Sequence, residues 1–381
     1  QADYIKALDK LGAEFDNNIY PNLTEFYGKP WEPGIDNDLR ITFLLSPLKD
    51  SFGGYFSSKD EYPAKDMPTS NEREMVYINA SDINNKDFNI LKTFVAHEFT
   101  HLIIFHKKEK TRNVSEDVWF HESRAEYSST ILGYSNPYTG SVLENRVNNF
   151  VENFSDPLGE WKNQTADYGI VAILTQYLKD NYATGMILVD TLKNDKSGID
   201  SINEVLRVNG SSEKFDDIFL NFAIANNIND RTIEDNKYGY ANENLKAIKL
   251  PIHTTALLGS GSKITQAISL KDWSFRYYKF EGSAKMAKIT LSKASTNDVF
   301  EVAVIIENSN GTKTIQKIDL NQKETDLYVS GLGSSVRSFV VVPVAINKIS
   351  NFMDNDASYR LDLTVESVDH VTPAIVSLSS G

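Results

Sequence analysis

Val95-Ala96-His97-Glu98-Phe99-Thr100-His101-Leu102 is the stretch on which the reading of this chain turns. It lies inside a run from Phe88 to about Lys108 whose apolar residues (Ile90, Leu91, Phe94, Val95, Leu102, Ile103) follow a helical period. On a helix, positions i and i+4 share one face, so His97 and His101 can turn their imidazoles toward one ion. Glu98 projects about 100° further around the axis, where it can reach a metal-bound water without becoming a ligand. Two neutral nitrogens and a separate carboxylate base are what a hydrolytic zinc site requires. Chance is a poor alternative, because the chain has only 6 histidines and unpaired His and Glu on an apolar helix are costly.

A catalytic zinc site takes three protein ligands and keeps one position open. No further histidine follows His101 at the spacing of the metzincins. The next candidate segment is Trp119-Phe120-His121-Glu122-Ser123-Arg124-Ala125-Glu126-Tyr127, on a helix expected from Glu116 to about Leu132 with Ser115 as its N-cap. A loop between the two helices lets the second return antiparallel to the first. Glu122 and Glu126 are one turn apart on one face, which makes Glu122 the candidate third ligand and Glu126 a candidate acceptor for a ligand imidazole. His106 falls off the metal face, His121 is expected to point elsewhere and line the cleft, and His253 and His370 lie outside this region.

Composition bounds the rest. The chain has 381 residues, 41% of them hydrophobic, enough for a sizeable core and two or three domains. A net charge of −13 makes nucleic acid a poor partner. The absence of cysteine excludes disulfides and thiolate metal sites. No apolar run approaches the roughly 20 residues of a transmembrane helix. The sequence opens at Gln1 directly on a helical pattern, as a mature or trimmed product would.

The pattern places helix over residues 1–29, strands at Arg40–Leu45, Gly53–Ser57 and Met75–Ala80, and several helices from Asp167 to about Asn227. Beyond Leu250-Pro251 the character changes to short β segments: Trp273–Phe280, Ala287–Ser292, Phe300–Ile306, Thr314–Leu320, Asp326–Val329, Ser338–Ile346 and Tyr359–Val365. This is the signature of an all-β sandwich, with Pro343 implying an edge strand or a bulge. The expected organisation is α+β: a sheet-and-helix subdomain over 1–110, a helical subdomain over 111–250, an accessory β-sandwich over 251–370 and a tail over 371–381. Asp354, Asp356 and Asp362 show no calcium-loop spacing, so a structural Ca²⁺ has no support in the sequence.

The two motif helices resemble those of the gluzincin zinc peptidases, which include the thermolysin-like and aminopeptidase N families. Most similar is the hyicolysin-like branch, whose second motif reads W-L-N-E-G-x-A-E-Y. Here His121 replaces its Asn and Ser123 its Gly. The resemblance implies a zincin-type mixed sheet with the active-site helix, one Zn²⁺ on His97, His101 and Glu122, Glu98 as general base and Glu126 behind a ligand histidine. It also implies an oxyanion donor on a later helix. Tyr168, in Asp167-Tyr168-Gly169-Ile170-Val171, is the candidate, with Tyr127 and Tyr55 in reserve. In zincins the peptide substrate joins an edge strand, for which Gly54, Tyr55 and Phe56 are the candidates. The expected activity is a secreted or cell-surface endopeptidase acting on protein or peptide. The alternatives are an aminopeptidase of the same clan and a non-catalytic surface-layer or adhesion protein, the β domain serving cell-surface association. Asn71-Glu72-Arg73-Glu74-Met75 does not match the G-x-M-E-N signature of the aminopeptidases.

Overall fold

A computed structural model describes residues 2–48, 53–85, 87–234, 236–350, 352 and 357–369. Asp354, Asp356, His370 and the tail fall outside these residues. The architecture is α+β. Helices α1 (Ala2–Glu14) and α2 (Tyr20–Tyr27), joined by a π-helical turn, lead into a three-stranded sheet of β1 (Thr42–Ser46), β2 (Gly54–Phe56) and β3 (Met75–Asn79). The sheet order is β1-β3-β2, with β1 parallel and β2 antiparallel to β3, so β2 is an edge. A short helix α3 (Asp82–Asn85) follows, then α4 (Phe88–Phe105) and α5 (Val118–Ile131). The helical body continues with α6 (Val142–Glu152), α7 (Thr165–Asn181), α8 (Ile187–Asp190), α9 (Gly198–Val208) and α10 (Phe215–Ile228). Among the described residues no helix is long and apolar enough to cross a membrane.

The motif helix α4 starts at Asp87, whose side chain accepts from Asn89 N. It is apolar on nearly all sides because Leu91, Val95, Ala96, Phe99, Leu102 and Ile103 are all buried in one core. The second motif helix differs from the expectation at its start. Its N-cap is Asp117, not Ser115, and Glu116 lies outside the helix with its carboxylate turned inward to the buried Arg124.

Residues after 250 form two sheets. One has the order β10-β7-β12-β5 and the other β4-β6-β11-β8-β9. Their strands are β4 (Thr254–Leu258), β5 (Lys263–Lys271), β6 (Tyr278–Gly282), β7 (Met286–Lys293), β8 (Phe300–Asn308), β9 (Lys313–Ile318), β10 (Glu324–Ser330), β11 (Val336–Ala345) and β12 (Ser358–Val368). Sequence periodicity misses β4 and β5, where the alternation is blurred: Leu257 and Ala267 face outward, and Gln266 takes an inward position. Alternate residues of β8 and β11 face opposite ways. Val302, Val304, Phe339 and Val341 join the other sheet. Ala303, Ile305, Val340, Val342 and Val344 join the core of the helical body. Trp273 packs on Phe215 and Phe219 of α10, and Tyr277 Oη donates to Ala223 O at 2.6 Å. The β region therefore shares a core with the helices and is not a loosely tethered appendage. Burial on both faces also explains why β11 reads as an unbroken apolar run. Pro343 lies in this central strand, opposite Val302, and the register shift falls at Val336/Ser338 instead. The edge alternative fails because β11 is central, whereas the strand does carry an irregularity, away from Pro343. On the β6 side Pro343 falls in a gap of the ladder, between the Val341–Tyr278 pair and the Val344–Phe275 bridge.

Candidate metal centre and cleft

α4 and α5 pack together and bring three donor atoms to one point. His97 Nε2 lies 3.1 Å from Glu122 Oε2 and 3.1 Å from His101 Nε2, and the third edge, His101 Nε2 to Glu122 Oε2, is 3.5 Å. A tetrahedral ion with bonds of roughly 2.0–2.1 Å sets its ligand atoms roughly 3.3–3.4 Å apart. The donor triangle fits that size, and its two imidazoles and one carboxylate are a zinc-type set. Burial disfavours charge on His97, but Glu122, joined by Glu98 and Glu126, outweighs it and pushes the imidazole up to about 9. Glu122 is likewise desolvated, yet His101 and His97 hold its carboxyl well below the usual range.

Both ring nitrogens left over by this arrangement are engaged. His97 Nδ1 faces Glu126 Oε1 at 3.5 Å. His101 Nδ1 lies 2.5 Å from His121 Nδ1, with the rings 4.6 Å apart. This corrects the expectation for His121, which turns to His101 and does not line the cleft. Burial, followed by the neighbouring His101, holds His121 well below the usual imidazole range, so it is neutral and able to accept. Arg146 on α6, which no local pattern marks, grips Glu126 with Nε and Nη2, both at 2.8 Å. Its guanidinium sits 4.7 Å from the centre of the Tyr168 ring. Gly169 permits that approach: a Cβ there would lie 2.8 Å from Phe150 N, so α6 and α7 pack backbone to backbone.

A cleft of about 560 Å³ opens over these groups, lined among others by Gly54, His97, Glu98, Arg146, Asn163 and Tyr168. Glu98 Oε2 accepts from Phe56 N at 2.8 Å, which ties its carboxylate to the edge strand β2. Gly54 allows β2 to lie this close, since a Cβ would meet Tyr77 O at 2.6 Å and Glu98 Cγ at 3.5 Å. Tyr168 Oη donates to Asn163 Oδ1 at 2.8 Å. Tyr55 stacks on Tyr77 at 4.2 Å, and neither Tyr55 nor Tyr127 lines the cleft. His106 begins the π-helical turn after α4, and His253 lies against Tyr278. Asp362 pairs with Arg360 at 2.9 Å. Glu72 accepts from Ala64 N and Glu74 from Ile35 N, so neither carboxylate of the 71–75 segment faces the cleft.

No protein-family model matches the chain. Among solved structures, a mitogen from Yersinia pseudotuberculosis superposes at a TM-score of 0.21 with 8% identity, over 30% of this chain and 92% of that one. The pre-peptidase C-terminal domain of a Bacillus anthracis collagenase gives 0.21 with 10% identity, over 30% and 96%. Superpositions this loose bear on neither fold nor function. In sequence, the chain is similar to the neutral metalloprotease ShpI of Staphylococcus hyicus: 27% identity over 194 residues, a match that spans 45% of this chain and only 42% of that protein.

Proposed function

We propose that this protein is a zinc-dependent endopeptidase of the gluzincin type, in the hyicolysin-like branch, acting on proteins or peptides outside the cell. The observation that carries the reading is the zinc-sized triangle of His97 Nε2, His101 Nε2 and Glu122 Oε2 beside a cleft-facing Glu98. Similarity to a metalloprotease supports it independently.

A zinc ion held by these three groups supplies a Lewis acid and an acidified water. Glu98, anchored through Oε2 by Phe56 N, has its other carboxylate oxygen available. That oxygen takes the proton of the attacking water and delivers it to the leaving amine. Tyr168, released from Asn163, donates its hydroxyl to the oxyanion that develops on the carbonyl. The substrate backbone adds to the β2 edge, where Gly54 offers main chain without a side chain in the way. Glu126, clamped by Arg146, orients His97, while His121 orients His101.

The test is metal analysis of the purified protein with a peptide-library digest, with and without a chelator. We expect one zinc per chain and chelator-sensitive cleavage of internal bonds; finding neither overturns the reading. Glu98→Gln should keep the metal and lose cleavage by about 10²–10⁴-fold. Faster turnover of a free aminoacyl reporter than of a blocked internal peptide would select the aminopeptidase alternative. The buried position of Glu74 and the outward role of Glu72 argue against that outcome, since neither can hold a substrate amine.

A further inference from the structure

Outside the cleft, the turn that follows β2 carries an electrostatic anomaly. Glu61 is fully buried and Glu74, the residue before β3, is 1% exposed. Three of their four carboxylate oxygens, Glu61 Oε1 and Oε2 and Glu74 Oε2, have no hydrogen-bonding partner among the described residues. Only Glu74 Oε1 is engaged, by Ile35 N at 3.0 Å. The two segments are held side by side, since Arg73 N donates to Asp60 O at 2.7 Å. Glu74 is the foremost charged neighbour acting on Glu61.

Lys110 offsets the charge of both carboxylates in part but makes no hydrogen bond to either. Lys110 Nζ donates to the backbone carbonyl of Glu61 at 2.5 Å, and its ammonium sits over the rings of Tyr62 at 3.8 Å and Trp31 at 4.7 Å. Gly34 closes the pocket around the Glu74 carboxylate: a Cβ there would lie 1.8 Å from Oε2. Buried carboxylates without hydrogen-bond donors are costly unless an ion, a proton or water answers them.

We propose that Glu61 and Glu74 hold a buried structural calcium ion that braces the turn after β2. Three hard, anionic oxygens from two carboxylates suit Ca²⁺, with backbone carbonyls and water completing its shell. Softer metals would prefer the imidazoles of the cleft. The rival occupant is a proton, because burial and then Glu74 push the Glu61 carboxyl up to about 9 when no metal is bound. A strongly acidic chain with a net charge of −13 gives the cation a favourable field.

The test uses the zinc-loaded full chain with terbium as probe, since Trp31 and Tyr62 stand where they can sensitise its luminescence. One equivalent of bound terbium, displaced by calcium, is expected. Raising calcium from chelator-buffered traces to about 10 mM should lift Tm by about 3 °C or more. Glu61→Gln/Glu74→Gln should abolish both effects yet be at least as stable as the wild type without calcium, having lost the like-charge pair. If the double variant does not fold, Glu61→Gln alone should weaken terbium binding by about tenfold or more. A wild-type Tm indifferent to calcium, or undiminished terbium luminescence in the variants, overturns the proposal and leaves the proton as occupant. Neither readout depends on proteolysis.

Discussion

His101 and His121 meet nitrogen to nitrogen, Nδ1 to Nδ1 at 2.5 Å, although they belong to different helices. A metal on His101 Nε2, as proposed above, would leave the proton of His101 on Nδ1, donated to His121, whose own proton would then be on Nε2. An amide oxygen could accept the same proton. Replacement of His121 by Asn should therefore hold zinc within about a factor of three of the wild type, whereas Leu, which cannot accept, should weaken it by about 10–100-fold. Competition against a chromophoric chelator reads the difference. Equal affinities for the two variants would show that His121 does not orient His101.

Arg146 makes a parallel prediction on the other ligand. Its two 2.8 Å bonds to Glu126 use the planar fork of a guanidinium, which an ammonium cannot reproduce. Arg146→Lys keeps the charge but frees one carboxylate oxygen, so Glu126 no longer holds a single orientation toward His97. Zinc affinity should fall by about tenfold or more, and kcat/KM should fall with it. An unchanged affinity in Arg146→Lys with a large loss in Arg146→Ala would mean that charge alone matters.

What could be read from the sequence, and what could not, divides along physical lines. Spacing on one helix tells which side chains share a face, so His97 with His101 and Glu122 with Glu126 were legible from local geometry. The edge position of β2 was implied by the family resemblance, through its expected strand order, and not by the residues of the strand themselves. Arg146 was hidden because its partner comes from another helix and its own segment carries no motif. His121 was misjudged because helical arithmetic gives a direction around one axis and says nothing of what a neighbouring helix presents there. Ser115 lost the N-cap to Asp117 because the preceding Glu116 is pulled inward by Arg124, a tertiary contact that overrides local preference. Pro343 pointed to an edge that the strand does not occupy, because the pattern could not show that the neighbouring ladder leaves a gap at that residue.

The Glu116–Arg124 pair itself is testable. Both side chains are fully buried, with Nη1 to Oε2 at 2.8 Å, and Glu116 Oε1 also accepts from Gly198 N at 2.7 Å. Removing one partner leaves a buried charge without its counterion. Arg124→Met should cost about 3–5 kcal/mol in urea unfolding, and the double variant Arg124→Met/Glu116→Leu should recover part of it. A double variant that is no better than the single one would show that the backbone contact to Gly198, and not the ion pair, is what the fold needs.

The shared core between α10 and β8 carries a pH signature. Glu301 on β8 is partly buried, and its carboxyl is pushed up to about 7, first by burial and then by Asp216 and Asp217 at the start of α10. Lys317 opposes this shift and Asp319 adds to it. The ordinary glutamate value is 4.5, so between about 4.5 and 7 the folded chain binds more protons at this site than the unfolded chain. Stability from Glu301 is therefore full below about 4.5 and is lost as pH rises through about 7. Glutamine mimics the protonated form at every pH. Glu301→Gln should match the wild type near pH 5 and exceed it near pH 8, with Tm higher by about 1–3 °C after allowance for solvent screening at this partly exposed group. Parallel Tm profiles for the two proteins across that range would mean that Glu301 stays ionised in the fold and that Lys317 compensates it fully.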